Sequence, residues 1–426
     1  RLHRGARRLR LANGAHDARE RRVATDAPRH HAERPRAVQR AAGDLVTTAL
    51  LHRETLTREH GLVHGRRAVD HHAVHGDPLA RPDHAHVTHG HVGDVVGMQN
   101  GQYSEENVLR QLALNARYGV TTVNSLGGDQ EPGLRVRNAQ NVPTLNRSRL
   151  YLAGTVVTGD TPDEALAMVD ENAAMGVDFI KIRVDDNLGT STKMTPAVYQ
   201  AVIDRAHEHG LRVASHLYYL DDAKSLLNAG TNFVAHSVRD QAVDEALIDL
   251  LVEKDVCYSP TLTREVSTFV YEDEPSFFAD PFFLAEADPA VLEQLRDPER
   301  QEGVRNSRSA QAYKGALEVA MRNLRPLVDG GATIAFGTDA GPRARFQGYF
   351  EHMELTLMAE AGLTPMEILV SATGNAAACL GLEDVGTLEA GKWADFVVLT
   401  DNPLDDINNS RTIESVWIAG NRVPGR

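Results

Sequence analysis

From residue 87 onward, eight short apolar runs are interleaved with amphipathic stretches, and this alternation restricts the fold more than any other feature of the chain. The apolar runs fall at 87–92, 119–123, 150–157, 177–184, 212–217, 232–237, 256–261 and 333–337. Between them, helical patterning is read at 105–118, 196–209, 223–228, 244–253 and 310–329. A further helix opens at Thr161-Pro162-Asp163-Glu164, where an early proline and first-turn acids suit a helix N-terminus. Eight strand–helix repeats over about 280 residues predict an α/β fold of the (β/α)8 TIM-barrel type.

The chain of 426 residues is long enough for one large core with a small accessory domain. It has no run near the roughly 20 apolar residues that a membrane span needs. A formal charge of −14, with no basic stripe in the patterned part, argues against a nucleic-acid partner. The only cysteines, Cys257 and Cys379, are too few for a disulfide framework; this points to a reducing compartment and a cytoplasmic location.

Residues 1–94 differ from the rest. They carry 17 arginines against 11 acidic residues and 14 of the 19 histidines, with no Phe, Tyr, Trp, Ile, Lys or Cys. So little large apolar surface cannot offset the entropy of ordering a chain. Excess Arg, Ala, His, Gly and Pro is what GC-rich DNA yields when translated out of frame. Residues 1–86 are therefore expected to be a frame-shifted or disordered segment, with 87–380 forming the barrel. Residues 381–426, from the turn before Gly386-Thr387-Leu388-Glu389-Ala390-Gly391 onward, read as part of a small β-sandwich built from the chain termini. Two or three strands cannot bury their own face and need partners from elsewhere. An insertion at 263–305 is rich in aromatic residues, acids and prolines. At that place in a barrel it is expected to be irregular and to form a pocket wall or lid.

Several apolar runs contain or end on a side chain able to ligate a cation. His89 and His91, at i and i+2 of a strand, share a face. His84 and His86 offer the same spacing five residues earlier. His207 and His209 have it too, but on a helix, where i and i+2 diverge. Lys181 interrupts a run that a parallel sheet buries on both faces, which is costly for an ammonium group. Either it snorkels to the rim, or its amine is neutral enough to take up carbon dioxide as a carbamate that bridges two metals. His216 and His236 close successive strands, and Asp339 follows Phe336-Gly337-Thr338; Asp339 is read as a metal ligand that also carries protons.

This ordered set resembles the amidohydrolase superfamily, and within it the imidazolonepropionase-like and prolidase-like metal-dependent hydrolases. Thr88-His89-Gly90-His91, Gly119-Val120-Thr121-Thr122-Val123, Ala372-Thr373-Gly374-Asn375-Ala376-Ala377 and the 386–407 ending carry the resemblance. It implies two divalent cations, most simply zinc. His89, His91 and Asp339 would hold the first and His216 and His236 the second, with carboxylated Lys181 between them. A hydroxide shared by the cations would attack the substrate carbonyl, with Asp339 as base and then acid. The resemblance fails over residues 1–85, where the first part of the sandwich is expected.

The lysine favours a two-metal peptidase-like or cyclic-amide hydrolase over a one-metal deaminase, and the aromatic insertion suits an N-acyl amino acid or dipeptide as the small-molecule substrate. Tyr218, Tyr219, Arg239, Arg343 and Arg345 are candidate substrate-binding residues, an arginine fork suiting a carboxylate. A one-metal deaminase or lactam hydrolase, or an inactive binding protein on the same barrel, are the alternatives, and a homo-oligomer is expected. Resequencing the gene should show a change of frame before residue 87; one uninterrupted native frame would contradict the frame-shift reading.

Overall fold

The computed structural model describes residues 103–425 apart from 343, together with the backbone of a strand at 84–86. His89, His91, Arg343 and the 1–83 segment lie outside the described residues. Parallel strands β1 (His84–His86), β2 (Thr122–Ser125) and β3 (Arg149–Leu152) form one ladder. β4 (Phe179–Arg183), β5 (Arg212–His216), β6 (Phe233–Ala235) and β7 (Cys257–Ser259) form a second, also parallel. A bridge between Val157 and Ile182 joins the end of the first ladder to β4, and another between Tyr258 and Ile334 joins β7 to an eighth segment. Neighbours therefore follow chain order throughout, with helices between them, as the alternating pattern predicts.

Two strand expectations differ in detail. The described first strand is His84–His86, five residues earlier than the histidine pair favoured from sequence. At 333–337, among the described residues, a single bridge forms at Ile334, and Phe336 N–H donates to the Ser371 carbonyl.

Local signals explain the helices. Helix Pro162–Met175 opens on a full capping box between Thr161 and Glu164 and closes on Gly176, whose φ of 77° a glycine adopts without cost. The 263–305 insertion is not irregular. Its helices Pro281–Leu284, Pro289–Leu295 and Pro298–Arg305 each start at an Asp-Pro pair, with Asp280, Asp288 and Asp297 capping a backbone N–H and proline in the first turn. Tyr271, Phe277, Phe278 and Phe283 from this insertion pack on one another and on Tyr118, Tyr349 and Phe350 as a second core.

The main core contains Val123, Leu150, Ile180, Ile182, Val213 and Val234, all fully buried. Cys257 and Cys379 form a disulfide, Cα atoms 5.9 Å apart, between β7 and helix Ala376–Leu380. This corrects the cysteine argument: two cysteines distant in sequence are adjacent in the fold, so their number no longer favours a reducing compartment. No helix among the described residues is long and apolar enough to cross a membrane.

After the parallel ladders comes an antiparallel sheet of β8 (Phe396–Leu399), β9 (Ile413–Ile418) and β10 (Asn421–Arg422). It buries Val397, Val416, Ile418 and Val423 against Ala116 and Leu145, which meets part of its need for a partner. A buried ion pair ties it to β3. Arg149 Nε donates to Asp395 Oδ2 at 2.8 Å, the guanidinium lies 4.4 Å from the Trp393 ring centroid, and Asp395 Oδ1 accepts from Ala419 N–H at 2.7 Å. Removing one partner strands the other charge away from water. Asp395→Ala should therefore cost about 3–5 kcal/mol in urea unfolding, whereas Arg149→Met with Asp395→Leu should cost much less. Equal losses would contradict this reading.

Candidate functional site

Burial sets the chemistry where the strands end. Lys181 lies in the middle of β4 with only 6% of its surface exposed. Desolvation lowers its amine to about 8, against an opposing pull from Asp339 and with some help from Arg183. Far more of it is thus the free amine near neutral pH than for an ordinary lysine, and the free amine is the form able to react with carbon dioxide.

His216 closes β5 and His236 follows β6, and their rings meet edge to face with centroids 4.4 Å apart. Burial pushes both well below the usual imidazole range, and the nearby Lys181, Arg264 and Arg239 add to the effect. Both rings are therefore neutral. Burial raises Asp185, but its interactions with His216, the Asn187 N–H and the Arg239 charge together outweigh that and keep it ionised. His216 Nε2 must then donate to Asp185 Oδ2, at 2.8 Å, which leaves the Nδ1 lone pair for a ligand. His236 Nδ1 shares a 2.8 Å hydrogen bond with Thr261 Oγ1, which leaves Nε2. Neutral imidazoles, each oriented by an outer partner, are good donors for a divalent transition metal.

Three residues at these strand ends hold left-handed backbone: His236 (φ 76°), Thr261 (φ 48°) and Asp339 (φ 58°). A non-glycine residue persists there only if its surroundings enforce it, and such strain gathers at functional sites. Asp339 Oδ2 is paired with Arg345 Nη1, and Arg345 Nε donates to Ser267 Oγ at 2.9 Å. Among the described residues, no group of three or more His, Cys, Asp or Glu side chains is arranged to hold one cation. The donor chemistry of His216 and His236 fits half of a two-cation site.

The other expected site residues have defined places. Arg239 is buried, donates to the carbonyls of Leu217 (2.9 Å) and Ser237 (2.6 Å), pairs with Glu265 at 3.0 Å and stacks on Tyr218. Tyr219 Oη donates to Asp186 Oδ1 at 2.9 Å. Arg345 holds Asp339. In this structure the two arginines are internal pins. His207 and His209 take separate partners, Asn232 and Asp170, as their divergence on a helix requires.

Sequence reasoning passed over Asp185, Thr261, Arg264, Glu265 and Glu354. Arg264 is buried between Glu265 at 2.9 Å and the Tyr313 ring, 4.6 Å from its centroid. Asp185, two residues past β4, carried a usable signal, since acids at strand ends of a parallel fold face the site.

Comparison with known proteins gives the context. The pattern of the amidohydrolase family matches residues 84–423. Ochratoxinase of Aspergillus niger is 24% identical over 286 residues, 64% of this chain and 52% of that protein. The chain thus spans about half the length of the ochratoxinase relatives it matches. An imidazolonepropionase of Deinococcus deserti is 39% identical over 103 residues, 23% of this chain and 26% of the relative. Among solved structures, a Xaa-Pro dipeptidase with bound methionine superposes with a TM-score of 0.62 at 22% identity, covering 80% of this chain and 84% of that one.

The lysine yields a test with a definite sign. Its folded value of about 8 lies below the ordinary 10.5, so between those values the unfolded chain binds more protons. In chelator-treated protein kept free of carbon dioxide, stability to urea should rise as pH goes from 8 to 10.5. Lys181→Met should flatten that rise; an unchanged slope would show that the lysine is not desolvated.

Proposed function

Because the chain belongs to the amidohydrolase family, we propose that it is a metal-dependent hydrolase of carbon–nitrogen bonds that cleaves a dipeptide or N-acyl amino acid. The observation that carries this reading is the pair of neutral, oriented imidazoles of His216 and His236 beside a buried lysine of lowered basicity. The ordered parallel neighbours support a (β/α)8 barrel, with the β8–β10 sheet as the C-terminal part of a small sandwich.

His216 Nδ1 and His236 Nε2 would hold one cation, Asp339 would join the first pair of histidines on another, and carboxylated Lys181 would lie between. For the first pair the proposal keeps His89 and His91, which lie outside the described residues, with His84 and His86, at alternate positions of β1 in register with Thr122 and Asn124, as the alternative; the family match spans both pairs. Two divalent cations, zinc in the simplest case, would polarise the amide carbonyl and make the attacking water acidic.

The remaining work falls to the chain. The free amine of Lys181 attacks the carbon of carbon dioxide, forms a C–N bond and releases one proton, giving the carbamate. Arg345 fixes Asp339 through Oδ2 and leaves Oδ1 to take a proton from the water and return it to the departing nitrogen. Arg239, Arg264 and Arg345 gather around Glu265, Asp185 and Asp339, three cations against three anions.

A second reading, hydrolysis of a cyclic amide, is favoured by the local similarity to imidazolonepropionase. A panel of N-acyl amino acids, dipeptides, lactams and esters separates the two. Turnover of open-chain amides, lost by at least about 100-fold in Lys181→Ala, is expected. Turnover confined to rings or esters would refute the proposed substrate class.

A further inference from the structure

We infer that Glu354 is a positioning residue, acting through the turn after β7 to fix the ring of His236; this rests on the reading of His236 as part of the functional site. Glu354 projects from helix Tyr349–Glu360 and is fully buried. Its Oε1 accepts from Leu262 N–H at 2.7 Å. Its Oε2 accepts from Thr263 N–H at 2.7 Å and from Thr263 Oγ1 at 2.8 Å. These donors immediately follow Thr261, which holds left-handed backbone at φ 48° and bonds His236 Nδ1. A β-branched residue does not keep that conformation unless something over-determines it. One carboxylate with both following N–H groups and a hydroxyl is such a constraint.

One turn earlier on the same helix, Glu351 does the same for the other strained turn. It accepts from Thr338 Oγ1 at 2.9 Å and from Gly348 N–H at 2.5 Å. Thr338 Oγ1 in turn accepts from Ala340 N–H at 3.0 Å, so the bonds bracket Asp339 at φ 58°. Thr263 Oγ1 also reaches the Thr338 carbonyl at 3.3 Å, which links the two turns. Burial pushes both carboxyls up to about 7, so keeping them there is costly. A glutamine would fill the same space without a charge, but its amide group cannot accept from two N–H groups and a hydroxyl together.

Glu354→Gln, made in the full chain, keeps the shape and leaves one oxygen to accept. The inference predicts a melting temperature within a few degrees of the parent. The histidine 15N spectrum, with His236 assigned by its loss in His236→Gln, should show the His236 ring passing from one tautomer to a mixture. For any amide that the parent turns over, kcat should fall about 10- to 100-fold with KM nearly unchanged. Thr261→Val should produce the same ring signature, and the double variant should add nothing further. A His236 signal identical to the parent's in folded Glu354→Gln overturns the inference. If Glu354→Gln does not fold, Thr263→Val decides the matter by the same spectrum. The ring signature does not depend on turnover, so a parent without amidase activity would sink the proposed function and leave this inference to be judged separately.

Discussion

A parallel ladder buried on both faces has no room for charge except at its ends, and the rest of this molecule follows from that constraint. Every ionisable group that enters the interior must be neutralised, paired or surrounded by donors. Lys181 is shifted toward its free amine, and His216 and His236 are neutral. Asp339 is paired with Arg345, and Arg239 and Arg264 share Glu265. Groups that would only destabilise a fold become, at one rim, a set of lone pairs and a carboxylate held ready.

The same rule operates away from the site. Arg149 and Asp395 are both buried and bind the C-terminal sheet to β3 through one ion pair, an aromatic face and a backbone N–H. His352 is buried yet has no need of a metal, because Nδ1 meets Ser410 and Nε2 meets the Tyr118 carbonyl. His216 and His236 differ from it: each has one ring nitrogen in a side-chain hydrogen bond, to Asp185 and to Thr261.

The ladder order was legible in the sequence because each apolar run has strand length and each intervening stretch has helical spacing. Lys181, His216, His236 and Asp339 were legible for the converse reason, as polar residues set in or after apolar runs. Their partners were not. Asp185 lies 31 residues from His216, Glu354 lies 91 from Thr263, and Cys257 lies 122 from Cys379. Local pattern carries no record of such pairings. Arg239 and Arg345 read as substrate-binding forks because arginine just beyond a strand is usually exposed; only the fold shows the carbonyls and carboxylates that make them pins. The short helices of the insertion escaped because four to eight residues are too few for periodicity, although the three Asp-Pro pairs announced them.

Metal content per chain tests the central claim most directly. Protein purified with bicarbonate and without chelator should carry about two transition-metal ions per chain by elemental analysis, as a site bridged through carboxylated Lys181 requires. About one per chain would contradict the bridged site and favour a one-metal deaminase or lactam hydrolase. None, in a folded sample, would contradict metal-dependent hydrolysis altogether.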